Sequence, residues 1–138
     1  MNVLVYAFRE DAPGHSQFRA WLDAARADDE PIALCDVVLS GFVRVATNPR
    51  VFIGAAPIAD ALAFARALRD DPGTAIVTPP GERCWDIFDR LCGEADARGN
   101  LVSDAYIAAL AIETGCELIT TDRDFSRFPG LRWRHPLA

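Results

Sequence analysis

A chain of 138 residues with 51% hydrophobic content is long enough to bury its own core, which excludes a disordered, fibrous or disulfide-stapled protein. A net charge of −6 argues against a broad electrostatic grip on nucleic acid. No stretch has the unbroken apolar length of a membrane helix and no basic-flanked signal opens the chain, so one cytoplasmic domain over 1–138, without membrane contact, is expected.

The opening NVLVYAF is an apolar run whose Val, Leu and Tyr content fits a strand. DAPGH is turn chemistry, and Ser16 is the expected cap of a helix reaching about Ala27, with Phe18, Trp21, Leu22 and Ala25 on one face. After DDEP, PIALC reads as a short strand, and Asp36 as the N-cap of a helix over VVLSGFVRVATN. AAPIADALAFARALRDD is an amphipathic helix with Pro57 near its first turn, and TAIVTP a second strand. ERCWDIFDRLCGEADARG makes a helix that ends near Gly99. SDAYIAALAIETG then supplies a Ser103 cap, an apolar body and a Gly115 stop. CELIT is the next strand, TDRDFSRFPG a polar turn and LRWRHP a last strand. Helices alternating with short apolar strands give the α/β class, a parallel sheet covered by helices.

The four cysteines (Cys35, Cys84, Cys92, Cys116) form no C-x-x-C pair and read as reduced, mostly buried thiols. His15 and His135 read as surface residues. All 14 basic residues are arginine, the better phosphate fork, and Arg123, Arg127, Arg132 and Arg134 fall late; a genomic composition bias gives the same usage.

Two carboxylates can be placed together by arithmetic. A helix from Asp104 to Thr114 covers about 16 Å, and a strand from Glu117 to Thr121 also covers about 16 Å. Joined antiparallel at Gly115-Cys116, they return Asp104 and Asp122 to one edge, where α/β proteins bind ligands. Crowded carboxylates raise each other's pKa, and the helix dipole partly relieves Asp104 in a first turn. A hard cation such as Mg²⁺ or Mn²⁺ relieves the rest and supports phosphodiester hydrolysis. Taken singly, each Asp also reads as a cap or a solvated turn. Asp122-x-Asp124 with Ser126 also fits the aspartyl-phosphate nucleophile of haloacid-dehalogenase-like phosphatases. Those need an early motif and a later lysine; only fourteen residues follow Asp124 and no lysine exists, so that reading fails.

The stretch GNLVSDAYIAALAIETGCELITTDRDFSRFPGLRW, with FVRVATNPRVF, PGERCWDIFDRL and NVLVYAFRED, resembles a PIN domain, and more narrowly the VapC-type toxins of toxin–antitoxin pairs. The resemblance implies a three-layer α/β/α sandwich with a central parallel sheet and a Mg²⁺- or Mn²⁺-dependent endoribonuclease acting on RNA. It also implies a cognate VapB-type antitoxin and a homodimer. Residue by residue, it implies Asp104 and Asp122 as metal ligands, Asp124 as auxiliary, Thr120 as the hydroxyl that orients the acids, and Asn2 as the asparagine of an opening D-x-N.

Two departures accompany it. The family's first acid and first strand would fall before Met1, which makes NVLVYAF a helix capped by Asn2; an internal methionine taken as the start, or a shortened chain, would account for the gap. Gly41 stands where the family has a glutamate, with Asp36 the nearest acid. A module that binds its antitoxin or dimer partner without cutting RNA is therefore the alternative; exposed apolar residues around Trp21 and Phe64 would serve either case, although core packing is the ordinary job of such residues. Loss of a central strand also implies a poorly stable chain.

Overall fold

A computed structural model describes all 138 residues, in two compact units: Met1–Val77 with Leu137, and Thr78–Pro136 with Ala138. No helix is long and apolar enough to cross a membrane.

The first unit contains α1 (Asn2–Phe8), α2 (His15–Ala27), β1 (Ile32–Leu34), α3 (Asp36–Ala46), α4 (Ile58–Arg69) and β2 (Thr74–Ile76). The opening run is a helix, with Val3, Leu4, Val5 and Ala7 all buried. Burial around most of its circumference overrides the strand preference of its β-branched residues. Its cap is Met1, so Asn2 is the first helical residue and not the cap. Phe8, Phe42 and Phe64 form a ring cluster with centroids 5.1–5.3 Å apart, which packs half-buried Phe64 against buried Phe42. Two further caps differ from expectation: α2 follows Gly14 in a left-handed conformation, and α3 follows Cys35. Ser16 and Asp36 thus lie just inside their helices. His15 is half-buried, its Nδ1 2.9 Å from the Tyr6 carbonyl, so it ties α2 to α1 rather than standing on the surface.

Gly41 is buried on α3, and the Met1 ε-methyl occupies the space a side chain there would need. Asp36 is paired with Arg69 of α4 at 3.1 Å.

The second unit contains α5 (Glu82–Ala95), α6 (Asn100–Thr114), β3 (Leu118–Ile119), a 3-10 helix (Arg123–Arg127) and β4 (Trp133–Arg134). The α6 helix is apolar nearly all round, with Ala105, Ile107, Ala108, Ala109, Leu110 and Ala111 buried, the pattern of a central helix. Its alanines are strong helix formers and let α5 approach closely. Gly115 ends it at φ 71, a left-handed position that costs glycine nothing. The expected polar turn after β3 is instead a 3-10 helix whose Phe125 is buried and stacks edge-on against buried Phe128 at 5.9 Å.

The parallel pairing expected of the α/β class is present in each unit. β1 pairs with β2 in the register Ile32↔Thr74 to Leu34↔Ile76, and β3 with β4 in the register Leu118↔Trp133 and Ile119↔Arg134. All four cysteines are free. Burial pushes the Cys84 and Cys92 thiols up, with help from Glu113 and Asp89 respectively, so neither is poised as a thiolate nucleophile.

Candidate active site

Within the second unit a hollow of about 560 Å³ is lined by Asp96, Arg98, Asn100, Leu101, Asp104, Asp122, Asp124 and Arg127. Three of the expected site residues, Asp104, Asp122 and Asp124, share this wall. The α6 helix delivers Asp104, and the turn after β3 delivers the other two.

That turn is built by its own hydrogen bonds. Thr120 is buried, and its hydroxyl oxygen accepts the Asp122 backbone N–H at 3.1 Å. Asp122 then caps the 3-10 helix, its Oδ1 accepting the Asp124 backbone N–H at 2.9 Å. One Asp122 oxygen is thereby fixed, and the direction of the carboxylate with it. Threonine at position 120 orients Asp122 through the backbone rather than by touching its carboxylate.

Asp104 differs in setting. The α6 helix begins at Asn100, after a Gly99 cap, so Ser103 lies inside it and Asp104 is its fifth residue. It stands beyond the first turn, where the helix dipole gives little relief. Desolvation, with Asp122 and Asp124 adding like charge, pushes its carboxyl up to about 6 from 3.8.

The donor set is all oxygen, which fits a hard divalent cation. No group of three or more potential ligands is close enough to cage an ion. Asp104 and Asp122 match the mode in which a cation rests on one or two carboxylates and keeps waters for its remaining positions.

Asn2, also expected at the site, is the first residue of α1 in the other unit. Arg98 and Asn100 line the hollow without having been singled out for it, and Arg127, one of the late arginines, lines it as well. The signal available was the Arg98-Gly99-Asn100 break between two helices, which reads only as a stop when α6 is started at Ser103. Of the late arginines, Arg132 donates to the Gly115 carbonyl at 2.9 Å and Arg134 pairs with Glu117 at 2.8 Å, so both are held by the fold.

Comparison with known proteins gives the family of the chain. A family profile described as PIN domain matches residues 1–131. The chain is 46% identical over 137 residues to VapC ribonuclease Mb2897 of Mycobacterium bovis, covering 99% of this chain and 92% of that one. It is 40% identical over 136 residues to ribonuclease VapC25 of Mycobacterium tuberculosis, covering 99% and 95%. A crystal structure of VapBC2 from Rickettsia felis, bound to a DNA fragment from their promoter, superimposes with a TM-score of 0.69 at 19% identity, over 97% of this chain and 93% of that chain. That likeness carries the fold, and the sequence relatives carry the family. An α/β chain matched over this length, with its acids on one wall, belongs to the PIN-domain family and to its VapC branch.

Proposed function

We propose that the chain is the ribonuclease toxin of a VapBC-type toxin–antitoxin pair, a single PIN domain that hydrolyses RNA phosphodiester bonds in the cytoplasm with Mg²⁺ or Mn²⁺. The observation that carries this reading is the convergence of Asp104, Asp122 and Asp124 on one hollow, with the Asp104 carboxyl pushed up to about 6. Carboxylates crowded in this way are costly unless a cation shares them, and VapC relatives are named ribonucleases.

Asp104 and Asp122 would hold the ion, and Asp124 stands beside them as an auxiliary acid. When bound, the cation supplies positive charge against the phosphate and acidifies water for attack at phosphorus. The protein's own part is positional: Thr120 fixes the turn, Asp122 is directed by its cap to Asp124, and α6 holds Asp104 rigidly. The named relatives support a VapB-type antitoxin as partner, and a homodimer accords with the resemblance. Asn2 belongs to the other unit and is assigned a role only by its match to the family motif.

The test is RNA cleavage with Mn²⁺ or Mg²⁺ by the wild-type chain and by Asp104→Asn, with EDTA as control. Loss of about 10²–10³-fold in rate on substitution is expected; equal rates overturn the reading. A second reading, binding without cleavage, is favoured by one observation: Gly41 stands where the resemblance implies a glutamate, with Met1 filling the space. An inactive wild type that still captures its antitoxin would establish that reading instead.

A further inference from the structure

The hollow has a cationic side that the acids do not account for. Between α5 and α6 the chain turns at positions 96–99, where Asp96 (φ 48) is the chain's one non-glycine residue at positive φ and Gly99 follows at φ 57. The turn's own backbone bonds, Asp96 N–H to Gly93 and Ala97 N–H to Cys92, hold its first residue. The α5 helix carries no basic residue in its last turn, so its C-terminal carbonyls, of which Cys92 and Gly93 accept backbone N–H groups of the turn that follows, have no cation of their own. Arg127, 32 residues further on, answers them: its Nη2 donates to the Ala95 carbonyl at 3.1 Å. Arg127 closes the same 3-10 helix that Asp122 opens. One guanidinium therefore ties the acid-bearing turn to the root of the 96–99 turn.

Arg98 sits in that turn and lines the hollow with the acids. Its counter-charge is Asp96 at 3.3 Å, and the two side chains are 85% and 84% exposed. Such a pair is screened and weakly held, so the guanidinium can exchange it for a better acceptor. A phosphate diester offers two non-bridging oxygens that match the planar fork.

We propose that Arg98 binds the phosphate backbone of RNA lying in the hollow, and that Arg127 is the positioning residue that holds the 96–99 turn for it. This rests on the ribonuclease reading above. The assay is fluorescence anisotropy of the full chain, carrying Asp104→Asn to prevent cleavage, with a short fluorescein-labelled single-stranded oligoribonucleotide titrated over a range of salt. Adding Arg98→Ala is expected to weaken binding about tenfold and to lower the slope of log K against log salt by about 0.7, one phosphate contact on a single strand. Arg98→Lys keeps the slope and recovers part of the affinity. Arg127→Ala weakens binding when Arg98 is present and adds nothing in the Arg98→Ala chain, as befits a residue acting through another.

Unchanged affinity and slope in Arg98→Ala overturn the phosphate contact. Equal losses from Arg127→Ala in both backgrounds overturn its positioning role. Arg98 is exposed, so its substitution tests the contact even where Arg127→Ala is destabilised. Absence of RNA binding by the parent, together with absence of cleavage by the wild type, overturns the ribonuclease reading and this proposal with it.

Discussion

Asp104 links the chemistry of the site to the stability of the fold. Its carboxyl is held up to about 6, from 3.8, by burial and by Asp122 and Asp124. A raised acid binds its proton more tightly when folded, so the stability it contributes is complete below pH 3.8 and is lost as pH rises toward 6. Metal-free Asp104→Asn is therefore expected to melt higher than wild type at pH 7, with the gap narrowing toward pH 4. Asp11 and Asp71, held low chiefly by the Arg9 hydrogen bond and the Gly73 backbone N–H respectively, run the other way in both proteins and cancel in the comparison. A gap that stays constant from pH 4 to 7 in thermal melts contradicts this account. Gly41 carries a second expectation. A mid-helix glycine costs about 1 kcal/mol relative to alanine, and the atoms a new Cβ would meet are the far end of the Met1 side chain, which can turn aside. Gly41→Ala is thus expected to be neutral or stabilising by up to about 1 kcal/mol in urea unfolding.

At the scale of elements, remote arginines finish helices that lack cations of their own. Neither α5 nor α6 has a basic residue in its last turn. Arg127 serves the first through Ala95, and Arg132 serves the second through the Gly115 carbonyl. Arg132→Ala should cost about 0.3–1 kcal/mol at low ionic strength and less in high salt, because the contact is exposed and dipole interactions are screened. A loss that is independent of salt would show that packing, not charge, is involved.

The same elements show what sequence can reveal. The body of α6 and its Gly115 stop are legible because an alanine-rich apolar run and a terminal glycine are local signals, but its start is not. The joint position of Asp104 and Asp122 follows from matched lengths. The nature of α1 is not legible from its pattern, since Val3 and Val5 favour a strand until burial decides. Ser16 and Ser103 mislead as caps because glycines at 14 and 99 start their helices. Phe125 and Phe128 lie hidden in a segment whose Asp, Arg and Ser content reads as turn. Arg98 gains meaning only when α6 is seen to begin at Asn100.

Across the whole molecule, sheet structure is sparse. Each unit has one parallel pair, of three and two residues per strand. Two-stranded pairing is marginal by itself, so the helices and their ring clusters carry most of the fold. The 138-residue chain is expected to melt below about 45 °C, under the usual range for ordinary domains. Circular dichroism at 222 nm is the measurement; a cooperative transition near 60 °C would refute it. The contact between Met1 and Gly41 supplies a separate way to watch the fold, because the chain has only one methionine. Labelling that ε-methyl with carbon-13 would place a single resonance against α3, so that one peak and its line width would report whether the first unit stays assembled as antitoxin, cation or RNA is added.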